Sequence, residues 1–242
     1  MKGVILAAGK GTRLLPMTAI INKHLLPAGK FPVIYYAVRK LRDAGILDIL
    51  IVIGKHSAGA FLDFLGSGNE FGVKITYKVQ EESGGVAHAL ALARDFVGKK
   101  EKFVVLLGDN LFEDSLAGYV EQFKKQKDGA MVLLKEVKDP WRFGVPILVD
   151  SQIIWIEEKP THPKSPYCVA GIYMYSGNVF DIISGINPSN RGELEITDVN
   201  NVYAAEGKLN FNLLNGWWTD AGTFDSLYEA VGRLLNSPGD GK

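Results

Sequence analysis

The first stretch whose chemistry can be read is Gly9, Lys10, Gly11, Thr12 and Arg13. Glycines let a backbone come close to an anion with its amides turned inward, and the lysine and arginine add donors and charge, so a triphosphate would satisfy the set. A tight, solvated turn would use the same residues. Two better-known loops are excluded. A dinucleotide fingerprint needs Gly or Ala three positions after Gly11, where Leu14 stands, and a Walker A loop needs Gly-Lys followed by Ser or Thr, where Gly11 stands. Further on, Lys23 precedes His24, two leucines and Pro27. The restrained backbone there can aim the lysine inward, although a solvated lysine fits as well, and His24 reads as structural.

Carboxylates follow at the ends of apolar runs. Asp109 comes after Leu106, Leu107 and Gly108 and is a natural ligand for Mg²⁺, which takes one or two protein carboxylates and completes its shell with water and substrate phosphates. Asp220, between Trp217-Trp218-Thr219 and Ala221-Gly222, is the candidate second ligand; capping the helix that follows is the other reading. In Glu157, Glu158, Lys159 and Pro160, Lys159 suits a second phosphate and Glu158 suits sugar hydroxyls, while a solvated charge cluster explains the four residues equally well. Cys168, the one cysteine, reads as a small buried residue rather than a nucleophile.

The elements that must carry these residues alternate. Residues 4–7, 49–53, 73–79 and 103–107 read as strands, and Ile34, Val38 and Leu41, then Val86, Leu90 and Ala93, recur at helical spacing between them. Continuous apolar strands imply burial on both faces, hence a doubly wound α/β core with a predominantly parallel sheet, whose carboxyl edge receives ligands. From about Ala130 strands at 131–135, 144–149, 153–157 and 171–175 come with few helices between them, which predicts a mixed, partly antiparallel continuation. Phe224 to Leu235 reads as a terminal helix, and residues 237–241 as a frayed tail. The chain is thus expected to be one domain, 1–242. About 1–130 would form one part, 131–223 a second part merged with it, and 224–242 the helix and tail.

Composition narrows the partners. The 242 residues carry 27 Lys and Arg against 27 Asp and Glu, so no positive surplus is available for nucleic acid. A single cysteine fits a reducing, cytoplasmic setting. The apolar run at residues 3–8 is too short for a secretory leader, and no stretch approaches membrane-spanning length, so no membrane partner is expected.

Taken in order, LAAGKGTRL, NKHLLP, GDN, FGV, EEKP, RGELEITD and WWTDAGT closely resemble the sugar nucleotidyltransferases, in the form of the glucose-1-phosphate thymidylyltransferases. The resemblance runs along nearly the whole chain. It implies a Rossmann-like nucleotidyltransferase fold, in which about 1–130 is the nucleotide-binding part and 131–223 the sugar-phosphate-binding part, and an Mg²⁺-dependent, in-line reaction of dTTP with glucose 1-phosphate that forms dTDP-glucose and pyrophosphate. It also implies a nucleotide lying along Leu6, Ala8, Gly9, Gly11, Thr12 and Arg13, with Lys23 near the reacting phosphate and Gln80 and Gly85 reading the base. The sugar phosphate would meet Gly144, Glu158, Lys159 and Val169, and Asp109 and Asp220 match the metal ligands. Arg13, Lys23, Asp109, Lys159 and Asp220 would carry the catalysis. The family pattern is departed from at Ala8-Gly9, where Gly-Gly is frequent, at Phe143, where Tyr is usual, and around Gln80, where longer members have proline. Longer members also carry further C-terminal helices, so a short form, possible homo-oligomers included, is what the resemblance predicts. A uridylyltransferase would share these motifs. A silent nucleotide-sugar sensor would need neither the metal pair nor the full set of cations.

Overall fold

A computed structural model describes residues 1–235, and the tail expected at 237–241 lies outside the described residues. The chain begins with β1 (Lys2–Ala7), two short strands β2 (Pro27–Ala28) and β3 (Phe31–Pro32), α1 (Val33–Asp43), β4 (Asp48–Gly54) and α2 (Ala58–Leu65). Next come β5 (Lys74–Gln80), α3 (Val86–Ala91), β6 (Lys102–Leu107), β7 (Asn110–Phe112) and α4 (Ala117–Lys125). β8 (Ala130–Glu136), β9 (Gly144–Val149), β10 (Gln152–Glu158) and β11 (Tyr167–Ser176) follow. After these stand α5 (Val179–Gly185), α6 (Ile196–Ala205), β12 (Leu209–Leu213), β13 (Trp218–Asp220) and α7 (Phe224–Leu235).

Seven strands form one sheet in the order β12-β8-β11-β6-β1-β4-β5. β6, β1, β4 and β5 run parallel; β11 opposes both β6 and β8, and β12 runs with β8. The sheet is therefore mixed and mostly parallel, with strands from both halves of the chain. Alternate residues of β1 serve opposite cores. Val4 and Leu6 pack with α3, α5 and α6, whereas Ile5 and Ala7 pack with α1, α2 and α4. Both faces are covered, which is why these strands read as unbroken apolar runs. A third cluster joins Leu14, Leu26 and Ala28 to Leu227 and Ala230, so α7 clamps the loops that follow β1.

The second half holds more helix than its sequence rhythm indicates. α6 was missed because polar residues sit inside it: Asn200, Asn201 and Thr197 are all buried. Asn201 receives the Ile156 N–H at 2.7 Å and donates to the Ile156 carbonyl at 2.9 Å, which ties α6 to β10. Asn200 accepts from the Tyr175 hydroxyl at 2.6 Å. Such paired polar groups blur the apolar stripe that marks a helix in sequence. Trp141, in a 3₁₀ turn at Pro140–Arg142, and Trp155, in the hairpin of β9 and β10, are about half exposed. β9 and β10 form that hairpin through Asp150 and Ser151, both at positive φ, as a type I′ turn requires. No helix among the described residues is long and apolar enough to cross a membrane.

Candidate active site

At the carboxyl end of β1 the chain enters the glycine loop. Gly11 has φ +66°, and a Cβ there would lie 2.9 Å from Thr18 Cγ2, so both conformation and space call for glycine. The Thr18 hydroxyl donates to the Gly11 carbonyl at 2.8 Å and folds the following turn back over the loop. Leu14 anchors this segment in the core and leaves Arg13 half exposed, its Nη2 3.5 Å from Asp220 Oδ2. Lys23 stands in a 3₁₀ turn whose first residue, Asn22, accepts the His24 N–H at 2.9 Å. Burial lowers the His24 ring to about 3, so it is neutral, and its Nδ1 bonds the same Asn22 oxygen at 2.7 Å. His24 is thus a brace for the turn that aims Lys23 inward.

β6 ends beside that turn, and Gly108 and Asp109 lead into β7. β7 pairs antiparallel with β13, setting Asp220 opposite Asn110, and the Ala221 N–H donates to the Asp109 carbonyl at 2.8 Å. Two strand ends remote in sequence therefore present their carboxylates side by side. Asp109 and Asp220 are each 8% exposed. Lys23 Nζ ion-pairs with Asp109 Oδ2, and Arg142 Nη2 meets Asp220 Oδ1 at 3.2 Å. Burial alone would raise the Asp109 carboxyl, but Lys23, His24 and the hydrogen bond from Asn110 outweigh it and hold it far below the ordinary carboxylate range. Asp220 is pushed up to about 6, by burial first and then by the charge of Asp109, with Arg142, Arg13 and Lys23 pulling the other way. Two buried oxygen donors whose charges repel are a donor set that fits a hard divalent cation. Thr223, not Asp220, caps α7: its Oγ1 accepts the Ser226 N–H at 3.3 Å.

The other side of the cleft is built by β9, β10 and the segment before α6. Lys159 sits at φ 45°, left-handed for a non-glycine residue, where its N–H donates to the Phe143 carbonyl at 2.9 Å. Glu158 Oε2 accepts from the Thr197 hydroxyl at 2.5 Å, and its Oε1 lies 3.4 Å from Lys159 Nζ and 3.5 Å from Arg191 Nη2. Arg191 is held by Glu195 at 2.8 Å. Phe143 packs edge-on against Trp218 at 5.3 Å. Trp218 Nε1 in turn donates to Asn110 Oδ1 at 2.7 Å, which also receives the Gly171 N–H at 3.0 Å where β11 bulges.

Two adjoining cavities result. One, of about 360 Å³, is lined by Leu6, Ala8, Gly9, Gly11, Thr12, Lys23, Gln80, Gly85 and Asp109 among others. The second, of about 240 Å³, is lined by Arg13, Asp109, Gly144, Glu158, Lys159, Val169 and Asp220 among others. Every residue expected to bind nucleotide, sugar phosphate or metal borders one of the two, and Asp109 borders both. Sequence reasoning missed Arg142, Arg191 and Asn110. Arg191 lies inside the RGELEITD stretch, so a charge flanked by glutamates was the available signal. Arg142 had none, since its partner Asp220 is 78 positions away.

An open, mostly parallel sheet with a glycine loop after β1 and two carboxylates at strand ends is the arrangement of α/β proteins that take ligands at the carboxyl edge of the sheet. A family model described as nucleotidyl transferase matches residues 2–237, and the chain belongs to that family. A Neisseria meningitidis serogroup A protein named glucose-1-phosphate thymidylyltransferase is 41% identical over 96% of this chain and 81% of its own length. A Bacillus anthracis protein provisionally assigned the same activity, solved with sucrose, is 54% identical with a TM-score of 0.94, over 98% of this chain and 96% of that one. A UDP-glucose pyrophosphorylase solved with UDP-glucose is 27% identical, TM-score 0.85, over 96% and 97%.

Proposed function

We propose that this protein transfers a thymidylyl group from dTTP to glucose 1-phosphate, forming dTDP-glucose and pyrophosphate. The observation that carries the reading is the junction at Asp109. There a cavity lined by the glycine loop meets a cavity lined by Glu158 and Lys159, with cations on both sides. The relatives' names supply the base and the sugar.

An oxygen of the sugar phosphate attacks the α-phosphorus of the triphosphate, and pyrophosphate leaves from the opposite side. The attacking phosphate is already a nucleophile, so no general base is needed; catalysis rests on holding two anions in line and balancing their charge. The amides of the glycine loop and Arg13 hold the triphosphate, and Lys23 turns from Asp109 to the reacting phosphate. Lys159 holds the sugar phosphate, while Glu158, Gly144 and Val169 shape the sugar site. Gln80 and Gly85 face the base. Mg²⁺, held by Asp109 and Asp220, would neutralise charge on the phosphates.

The test is pyrophosphate release with glucose 1-phosphate and Mg²⁺, comparing dTTP, UTP, CTP, ATP and GTP. Release fastest with dTTP, and absent without the sugar phosphate, is expected. Equal or faster release with UTP would favour a uridylyltransferase, a reading that the shared fold of the UDP-glucose pyrophosphorylase supports. Asp109→Asn should lower turnover by about 100-fold or more, as loss of a carboxylate at the reacting phosphates does; unchanged turnover and Mg²⁺ dependence would remove Asp109 from the site.

A further inference from the structure

Gln80 ends β5, is 8% exposed, and borders the nucleotide-side cavity. Its amide nitrogen lies 2.9 Å from Nδ1 of His88, the third residue of α3. A glutamine amide offers an acceptor on one side and two N–H donors on the other, so its recognition of a base depends on which way it is turned. In the tautomer that carries its proton on the ring's Nε2, His88 accepts one amide N–H of Gln80 at Nδ1, the amide nitrogen keeps a second donor, and Gln80 Oε1 is left free. That combination complements the N3–H and carbonyl of thymine or uracil. The flipped amide would set Oε1 against the Nδ1 lone pair, and it is the flipped amide that suits cytosine, whose N3 accepts and whose N4 donates.

The ring itself is held in place. A Cβ on Gly84 would fall 2.4 Å from His88 Nδ1, so only glycine lets the loop lie this close to the imidazole. The Gly84 carbonyl accepts the Leu194 N–H at 2.8 Å, pinning that loop from the opposite wall. Gly85 follows at φ +94°.

We infer that His88 is a specificity-determining positioning residue: it touches no substrate, and by accepting from Gln80 Nε2 it fixes the amide in the orientation that selects thymine and uracil over cytosine. This rests on the proposed assignment of Gln80 to the base. An accepting partner selects against the wrong base by leaving its polar edge unmatched, the usual source of strong discrimination between isosteric ligands.

Wild type, His88→Leu, His88→Glu, Gln80→Leu and the double variant His88→Leu/Gln80→Leu would be compared. The measurements are kcat/KM with glucose 1-phosphate and, without it, Kd by calorimetry, for dTTP and dCTP, with Tm as a check on folding. His88→Leu should cut the dTTP-over-dCTP ratio by about tenfold or more. His88→Glu, whose carboxylate only accepts, should keep it within about threefold. The double variant should discriminate no worse than Gln80→Leu alone, since the effect acts through that amide. If His88→Leu changes both nucleotides alike and leaves the ratio intact, the inference is wrong. If wild type already fails to prefer dTTP, the base assignment of Gln80 falls before any substitution is made, and the inference falls with it. Because Kd is read without turnover, failure of the proposed reaction is seen separately.

Discussion

His24 lies next to a lysine read as catalytic yet does structural work, and the difference is measurable. Its folded ring titrates at about 3 against an ordinary 6.5, because burial disfavours the charged form. Between those values the unfolded chain takes up a proton that the folded chain refuses. The contribution of the neutral ring is therefore complete above 6.5 and is lost as pH falls toward 3, at up to about 1.4 kcal/mol per pH unit. His24→Gln should flatten stability against pH over that window by close to one proton, read as the difference between the two proteins' denaturation free energies; parallel curves would contradict it. Lys159 combines a left-handed backbone with the proposed role of holding the sugar phosphate. Lys159→Asn, whose side chain tolerates a left-handed backbone, should leave Tm unchanged or slightly higher while raising KM for the sugar phosphate about tenfold or more. A lower Tm with unchanged KM would show that Lys159 serves folding. Neither residue's environment was legible in sequence, since burial and φ are set by neighbours from other segments.

At the scale of elements, the β9–β10 hairpin offers a clean test. Asp150 and Ser151 occupy positive φ in its turn, where Asp-Gly is preferred, so Ser151→Gly should raise stability by about 0.5–1 kcal/mol in a chemical denaturation midpoint, with activity unchanged. The eight strands expected from apolar runs are all present: six lie in the central sheet, whose covered faces leave a nearly unbroken apolar signature, and β9 and β10 form the separate hairpin. α6 and β12 were not legible. The first buries Asn200 and Asn201 against specific partners, and the second, LNFNL, is a short edge strand with polar residues at alternate positions. The candidate site was legible as motifs, and its geometry only in part. Asp109 announced itself at a strand end, whereas the β7–β13 pairing that brings Asp220 to it has no local signal, and Arg142 acquires its place beside Asp220 only from that assembly.

For the whole molecule, the sheet gives an internal reporter of opening. Cys168 on β11 is fully buried, and burial pushes its thiol up to about 12. The native protein should therefore resist thiol reagents at neutral pH, with labelling that follows opening of the central sheet as denaturant is added. Rapid labelling without denaturant would mean that β11 opens locally. The antiparallel contact of β7 with β13 has a consequence for how the protein is made. During synthesis the glycine loop, Lys23 and Asp109 leave the ribosome well before Trp218 and Asp220, and α7, which clamps the loops after β1, comes later still. On the proposed reaction, competence therefore waits until translation has passed β13 and α7, and a chain interrupted before them should release no pyrophosphate.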